Sequence, residues 1–163
     1  MEIPGKTAVE RFCVLVATAF GTTLSAPFAP GTFGSWPGVF AAVALCLFPW
    51  QMQVAVCAVL AVAAVPVCHV ANRVLGGHGD GRISADEWML YPIGVLGLPL
   101  LSNWWLIPVT FVVIRVCDIV KPPPARYFDR TVKGGFGIVI DDFTAQLYAL
   151  GINWLIFWFC AKG

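Results

Sequence analysis

The stretch from Asp118 to Asp142 gathers Asp118, Asp129, Asp141 and Asp142 with Lys121, Arg126, Arg130 and Lys133, in a chain whose flanks are almost free of charge. Ionisable groups beside apolar segments are costly, and they mark ion or substrate sites. Upstream, Asp80, Asp86 and Glu87 bring the number between Asp80 and Asp142 to seven of the chain's nine carboxylates. Acids so clustered repel one another unless they are protonated or bridged by cations. A divalent metal meets that need, and oxygen donors without a converging His/Cys set select Mg²⁺ over zinc. The basic side chains offer partners for phosphate oxygens. Together these groups describe phosphoryl chemistry, where positioning and charge neutralisation do most of the work.

Several other phosphate designs are excluded. There is no Gly-x-x-x-x-Gly-Lys-Ser/Thr loop, so the chain is not an ordinary P-loop NTPase. Cys68 and Arg73 stand one residue too close for a cysteine-phosphatase loop, and Asp141-Asp142-Phe143-Thr144 is not an aspartyl-phosphate motif. Asp80-Gly81-Arg82 does not continue into the aspartate series of a CDP-alcohol phosphotransferase.

The elements that must position these groups are apolar. Hydrophobic residues make up 59% of the 163 and charged residues 12%, against about 25% charged in soluble domains. No charge occurs between Arg11 and Arg73, between Glu87 and Arg115, or between Asp142 and Lys162. The chain reads as one all-α unit over residues 1–163, a polytopic membrane bundle of about four to five spans. Thr7–Leu24 is expected to be an interfacial or re-entrant segment, ended by Pro27 and Pro30. Pro37–Trp50 and Gln51–Asn72 read as two helices, and Arg73–Glu87 as a polar loop. Trp88–Leu101 and Trp104–Cys117 read as apolar arms, and Phe143–Cys160 as a last membrane helix. The acids then fall at segment ends, unlike the mid-helix acids of a carrier, which is the competing non-enzymatic reading. The six scattered cysteines are expected to be buried thiols rather than disulfides. Lys6, Arg11, Arg73, Arg82, Lys121, Arg126, Arg130 and Lys133 all fall in the first segment and the two polar loops, which places that face in the cytoplasm.

Four motifs resemble the phosphatidylglycerophosphatase A family of bacterial membrane enzymes. They are Ala29-Pro30-Gly31-Thr32-Phe33-Gly34-Ser35; the pair Asp86-Glu87; Asp118-x-x-Lys121-Pro122-x-Pro124 with Asp129-Arg130; and Lys133-Gly134-Gly135-Phe136-Gly137-Ile138 leading to Asp141-Asp142. Leu90 and Gln146 stand where that pattern usually has glycine. The resemblance implies Mg²⁺-dependent hydrolysis of phosphatidylglycerophosphate at the cytoplasmic face of the bacterial inner membrane. Asp86, Glu87, Asp118, Asp141 and Asp142 are then expected to hold the metal or position the attacking water, with Asp129 as a ligand or a support for Arg130. Lys121, Arg130 and Lys133 are expected to hold the phosphate, with Thr32 and Ser35 as supporting donors. The expected partner is a phospholipid in the bilayer and not a nucleic acid. The sequence carries no signal for oligomeric state.

Overall fold

A computed structural model describes residues 3–25, 30–77 and 80–162, and these are all α, with no strand among them. The chain opens on α1 (Ala8–Ala17), started by a reciprocal cap. The Thr7 hydroxyl accepts from the Glu10 amide at 3.2 Å, and the Glu10 carboxylate accepts from the Thr7 amide at 3.1 Å. The helix stops where Ala19, Phe20 and Gly21 take positive φ, at 47°, 59° and 86°. Left-handed backbone costs a non-glycine residue roughly 1–2 kcal/mol, so tertiary contacts must hold this turn. Ala19 is fully buried, and Phe20 packs on Trp88 with ring centroids 5.9 Å apart.

The short helices α2 (Thr22–Ser25) and α3 (Pro30–Gly34) lead to α4 (Trp36–Leu45), whose first turn accepts Pro37 because its missing N–H has no partner there. Next come α5 (Trp50–Leu75) and α6 (Ala85–Leu90), which runs into a 3-10 turn at Tyr91–Val95. The chain closes with α7 (Leu106–Val120), α8 (Ala125–Thr131) and α9 (Gly134–Lys162). One buried cluster joins Val14 and Ala17 of α1 to Ala64, Cys68 and Ala71 of α5 and to Met89 and Leu90. A second joins Val39 and Ala42 of α4 to Leu106 and Ile114 of α7 and to Ala145 and Ala149 of α9. The six cysteines are free thiols.

The expectation of four to five spans is corrected. Among the described residues, α5 and α9 are the helices long and apolar enough to cross a membrane. At 1.5 Å per residue they reach about 39 and 44 Å, more than the ~30 Å hydrocarbon core. On the same rise α7 reaches about 22 Å, and α1 and α4 about 15 Å each. Glycine and proline divide the other apolar stretches: Pro92, Gly94, Gly97 (φ 75°) and Pro99 turn most of Trp88–Leu101 into a 3-10 turn and loop. Outward faces remain apolar nonetheless, with Val59 and Val62 on α5 and Leu155 and Phe159 on α9 all exposed.

A second correction concerns α9, which starts at Gly134 rather than at Phe143. Its glycines, poor helix formers in isolation, are retained for close approach. A Cβ on Gly135 would stand 2.4 Å from the Val65 carbonyl oxygen and 2.5 Å from the His69 amide nitrogen of α5. Both are backbone atoms and cannot swing aside. Gly135→Val is therefore expected to push the two long helices apart at a cost of about 1–3 kcal/mol. Thermal unfolding in detergent, compared with Gly151→Ala, where a Cβ meets open space, measures that loss.

Candidate active site

Four parts of the chain bring the acids together. Asp86 and Glu87 occupy the first turn of α6, where the helix dipole favours negative charge. Arg115 and Asp118 lie one turn apart near the end of α7. Asp141 and Asp142 lie about two turns inside α9 and are buried, and Ser35 joins α3 to α4.

Arg115 ties the first two parts together. Its guanidinium stands 2.8 Å from Glu87 Oε2 and 2.9 Å from Asp118 Oδ2, and the three side chains are 16%, 16% and 13% exposed. Such burial takes these ion pairs out of the screened surface regime and makes the loss of either partner expensive. Ser35 Oγ lies 3.0 Å from Glu87 Oε2 and 2.8 Å from the Gly31 carbonyl oxygen, and Arg115 Nη1 donates to it at 3.4 Å. Gly31 completes the wall: a Cβ there would stand 2.3 Å from Glu87 Oε1 and 3.0 Å from Arg115 Nη2.

Lys121 ends α7 in the left-handed region, at φ 47°, ahead of Pro122. That turn carries its ammonium to Asp141 on α9, with which it forms an ion pair. Burial, reinforced by the Glu87, Asp118 and Asp141 charges, pushes the Asp86 carboxyl well above the ordinary carboxylate range. Burial also raises Glu87, against the lowering effect of Arg115. Asp142 stands beside Asp141 on α9, is buried like it, and adds a fifth carboxylate to the group. Five carboxylates thus sense one another around two cations, Arg115 and Lys121.

The donor chemistry suits a hard divalent cation: all five side chains offer oxygen, and Asp86 Oδ1 is buried with no hydrogen-bond partner among the described residues. Among the described residues, however, no three His, Cys, Asp or Glu side chains are placed to hold a metal ion together. Arg115 and Lys121 instead occupy carboxylate oxygens.

Of the expected phosphate-binding residues, Ser35 and Lys121 are joined to this cluster by direct contacts. Thr32 is half-buried in α3, next to Gly31. Arg130 and Lys133 are exposed and make no ion pair with a described carboxylate. Asp129 belongs to α8, and its side chain lies outside the described residues, as do Ala29 of the first motif and Pro27 before it. Arg115 is not singled out by the sequence analysis, although a lone arginine ending the uncharged run that follows Glu87 carries its own signal.

Asp80 stands apart from the cluster, paired with Arg82. Arg82 Nε and Nη2 donate to Asp80 at 2.9 and 2.6 Å, and Nη2 also reaches the Leu75 carbonyl at 2.9 Å, closing the turn after α5. The hydrogen bonds from Arg82 hold the Asp80 carboxyl below its ordinary value. A lowered carboxylate stabilises the fold above its unfolded pKa of about 3.9, and that contribution is lost as pH falls through the lower folded value. Asp80→Asn is expected to flatten this acid limb and to cost under ~1 kcal/mol at neutral pH, because solvent screens the pair. Melting temperature against pH for both proteins checks it.

A sequence model of the phosphatidylglycerophosphatase A family matches residues 15–157, which include every residue of the cluster. Phosphatidylglycerophosphatase A of Escherichia coli K12 is 37% identical over 142 residues, covering 87% of this chain and 81% of the relative. The Haemophilus influenzae protein of the same name is 36% identical over 137 residues, 83% of each. A Bacteroides thetaiotaomicron protein with a provisional phosphatidylinositol-3-phosphatase name is 33% identical over 141 residues, 83% of this chain and 87% of the relative. No solved structure matches. With the family model spanning most of its length and two named relatives above one-third identity, the chain belongs to the phosphatidylglycerophosphatase A family.

Proposed function

We propose that this chain hydrolyses the terminal phosphomonoester of phosphatidylglycerophosphate to phosphatidylglycerol and inorganic phosphate, with Mg²⁺ as cofactor. The observation that carries the reading is the Arg115 bridge: a largely buried cation held between Glu87 and Asp118, two acids whose charges also act on Asp86 and Asp142. An acid cluster alone fits many roles. An arginine fixed inside one fits an anion that must be held beside a metal.

Arg115 has five N–H donors and Lys121 three, so each can give one to a phosphate oxygen while keeping another on its acid. Ser35 adds a hydroxyl next to both Glu87 and Arg115. Water attacks phosphorus, the bond from phosphorus to the glycerol oxygen breaks, and that oxygen leaves as an alcohol after taking a proton. A carboxylate of the cluster accepts the proton released by the water and passes it to the departing glycerol oxygen. Asp86, Glu87, Asp118, Asp141 and Asp142 would hold Mg²⁺, which supplies charge neutralisation for the transferring phosphoryl group and acidity for the water.

The site's setting follows from the flanking helices. With α5 and α9 in the bilayer of a bacterial cytoplasmic membrane in a multi-pass arrangement, the basic residues around Arg73 and Lys121 support a cytoplasmic orientation of the site. The lipid's phosphate then enters from the headgroup layer while its chains stay in hydrocarbon. A phosphoinositide substrate is a second reading, favoured by the name of the Bacteroides relative.

Purified protein in detergent is assayed for phosphate release from phosphatidylglycerophosphate and from phosphatidylinositol 3-phosphate, with Mg²⁺ and with chelator. Release from the first that chelator abolishes is the expected result. Preference for the second would move the substrate assignment, and release indifferent to chelator would remove Mg²⁺ from it.

A further inference from the structure

An apolar groove of about 750 Å³ is lined among others by Phe20, Thr22, Phe33, Trp36, Pro37 and Phe40, several of them on the segments that flank Ser35. Its volume is that of a site for a sizeable organic ligand. We propose that this groove seats an acyl chain of the lipid substrate while the phosphate occupies the Arg115–Ser35 corner; the proposal rests on the lipid-phosphatase reading above.

Continuity with the polar site selects this occupant. Both walls of the groove are built by segments that also build the site. On one wall, α3 carries Gly31 against Glu87 and Phe33 into the groove, and Trp36 directly follows Ser35. On the other, Phe20 packs on Trp88, the residue after Glu87. Trp88 is itself fixed by an Nε1 hydrogen bond of 3.1 Å to the Val16 carbonyl. For a molecule with an anion at Ser35 and an apolar tail, the residues that follow Ser35 in the chain, Trp36 and Pro37, already line the groove.

The backbone reinforces this assignment. Ala19, Phe20 and Gly21 all hold positive φ, and the product of that strained turn is the placement of Phe20 at the groove. Strain of this kind is retained where it serves a site. Phe20, Phe33, Trp36 and Phe40 are 58%, 54%, 50% and 70% exposed, so the groove is lined but not filled by side chains among the described residues. The four aromatics present apolar faces with few polar atoms between them, which suits hydrocarbon and not a polar headgroup.

Thr22 is exposed in the groove and, among the described residues, bonds within its own turn, through Oγ1 to the Ala19 carbonyl at 2.8 Å and weakly to that of Thr18 at 3.5 Å. Thr22→Trp fills the groove without touching the carboxylates. Phosphate release by the wild-type and Thr22→Trp proteins is measured on dioleoyl phosphatidylglycerophosphate in mixed micelles and on its water-soluble deacylated headgroup. The expected result is a rise in KM on the order of tenfold for the diacyl substrate, with hydrolysis of the headgroup unchanged. Equal change on both substrates, or on neither, would overturn the proposal. Photolabelling of the wild-type protein with a phosphatidylglycerophosphate carrying a diazirine in its acyl chain reads the same contact without turnover. Label in residues 19–40, displaced by unlabelled phosphatidylglycerophosphate and not by phosphatidylcholine, is expected; label elsewhere, or displaced equally by both, contradicts the groove. A wild type that takes this label yet releases no phosphate from either substrate would sink the phosphatase reading and leave the groove standing.

Discussion

Arg115→Ala is expected to lose phosphatase activity by about 10²- to 10³-fold, the usual effect of removing one preorganised charge-stabilising donor. The same change is expected to destabilise the fold by about 3–5 kcal/mol, because it strands buried acids without their cation. Both effects come from one geometry: a guanidinium 2.8 Å from Glu87 and 2.9 Å from Asp118, with each partner less than one-fifth exposed. Arg115→Lys separates them. A lysine restores the charge but not the planar fork that spans two acids and Ser35. Its melting temperature should recover much of the loss while its turnover stays low. If Arg115→Lys matched the wild type in turnover, the bridge would be a structural ion pair and not part of the phosphate site.

The second large effect is at Gly31. An added Cβ would sit 2.3 Å from Glu87 Oε1 and 3.0 Å from Arg115 Nη2, so one of them must yield. Side-chain ends can often swing away cheaply. Here Glu87 is held by Arg115 at 2.8 Å and by Ser35 at 3.0 Å, and moving it breaks both. Displacing a catalytic constellation by about 1 Å is worth roughly 10²-fold in rate. Gly31→Ala is therefore expected to lose about that much activity with only a modest change in melting temperature. Gly81→Ala is the control, since its Cβ would meet nothing closer than Pro30 Cγ at 3.7 Å. Phosphate release by the two purified variants decides it.

The acids were legible in the sequence because charge in so apolar a chain has to be explained, and the motif resemblance pointed to the same residues. Asp86 and Glu87, read as the end of a polar loop, open a helix instead, and Asp118, Asp141 and Asp142 meet them electrostatically. Arg115 was not legible in the same way. It stands inside an apolar run, away from the basic loop that drew attention, and only tertiary packing brings it to Glu87. The start of α9 was hidden by Gly134, Gly135 and Gly137, which read locally as a break; their value as close contacts with α5 is visible only once the two helices are side by side. The number of spans was overestimated because hydropathy measures how apolar a stretch is, whereas Pro92, Gly97 and Pro99 determine how long a helix can be. Asp80 read as a possible member of the acid cluster, but Arg82, two residues on, satisfies it locally.

In the proposed function, the cluster around Arg115 binds Mg²⁺ and turns over a lipid phosphate. Asp141→Asn tests it most directly, because Asp141 pairs with Lys121 and lies inside the cluster without making the Arg115 bridge. Phosphate release from phosphatidylglycerophosphate and Mg²⁺ binding by calorimetry are measured on the purified wild type and on this variant. The predicted result is Mg²⁺-dependent release by the wild type, lost in the variant together with at least part of the Mg²⁺ affinity. A folded Asp141→Asn protein that bound Mg²⁺ and released phosphate like the wild type would contradict the account.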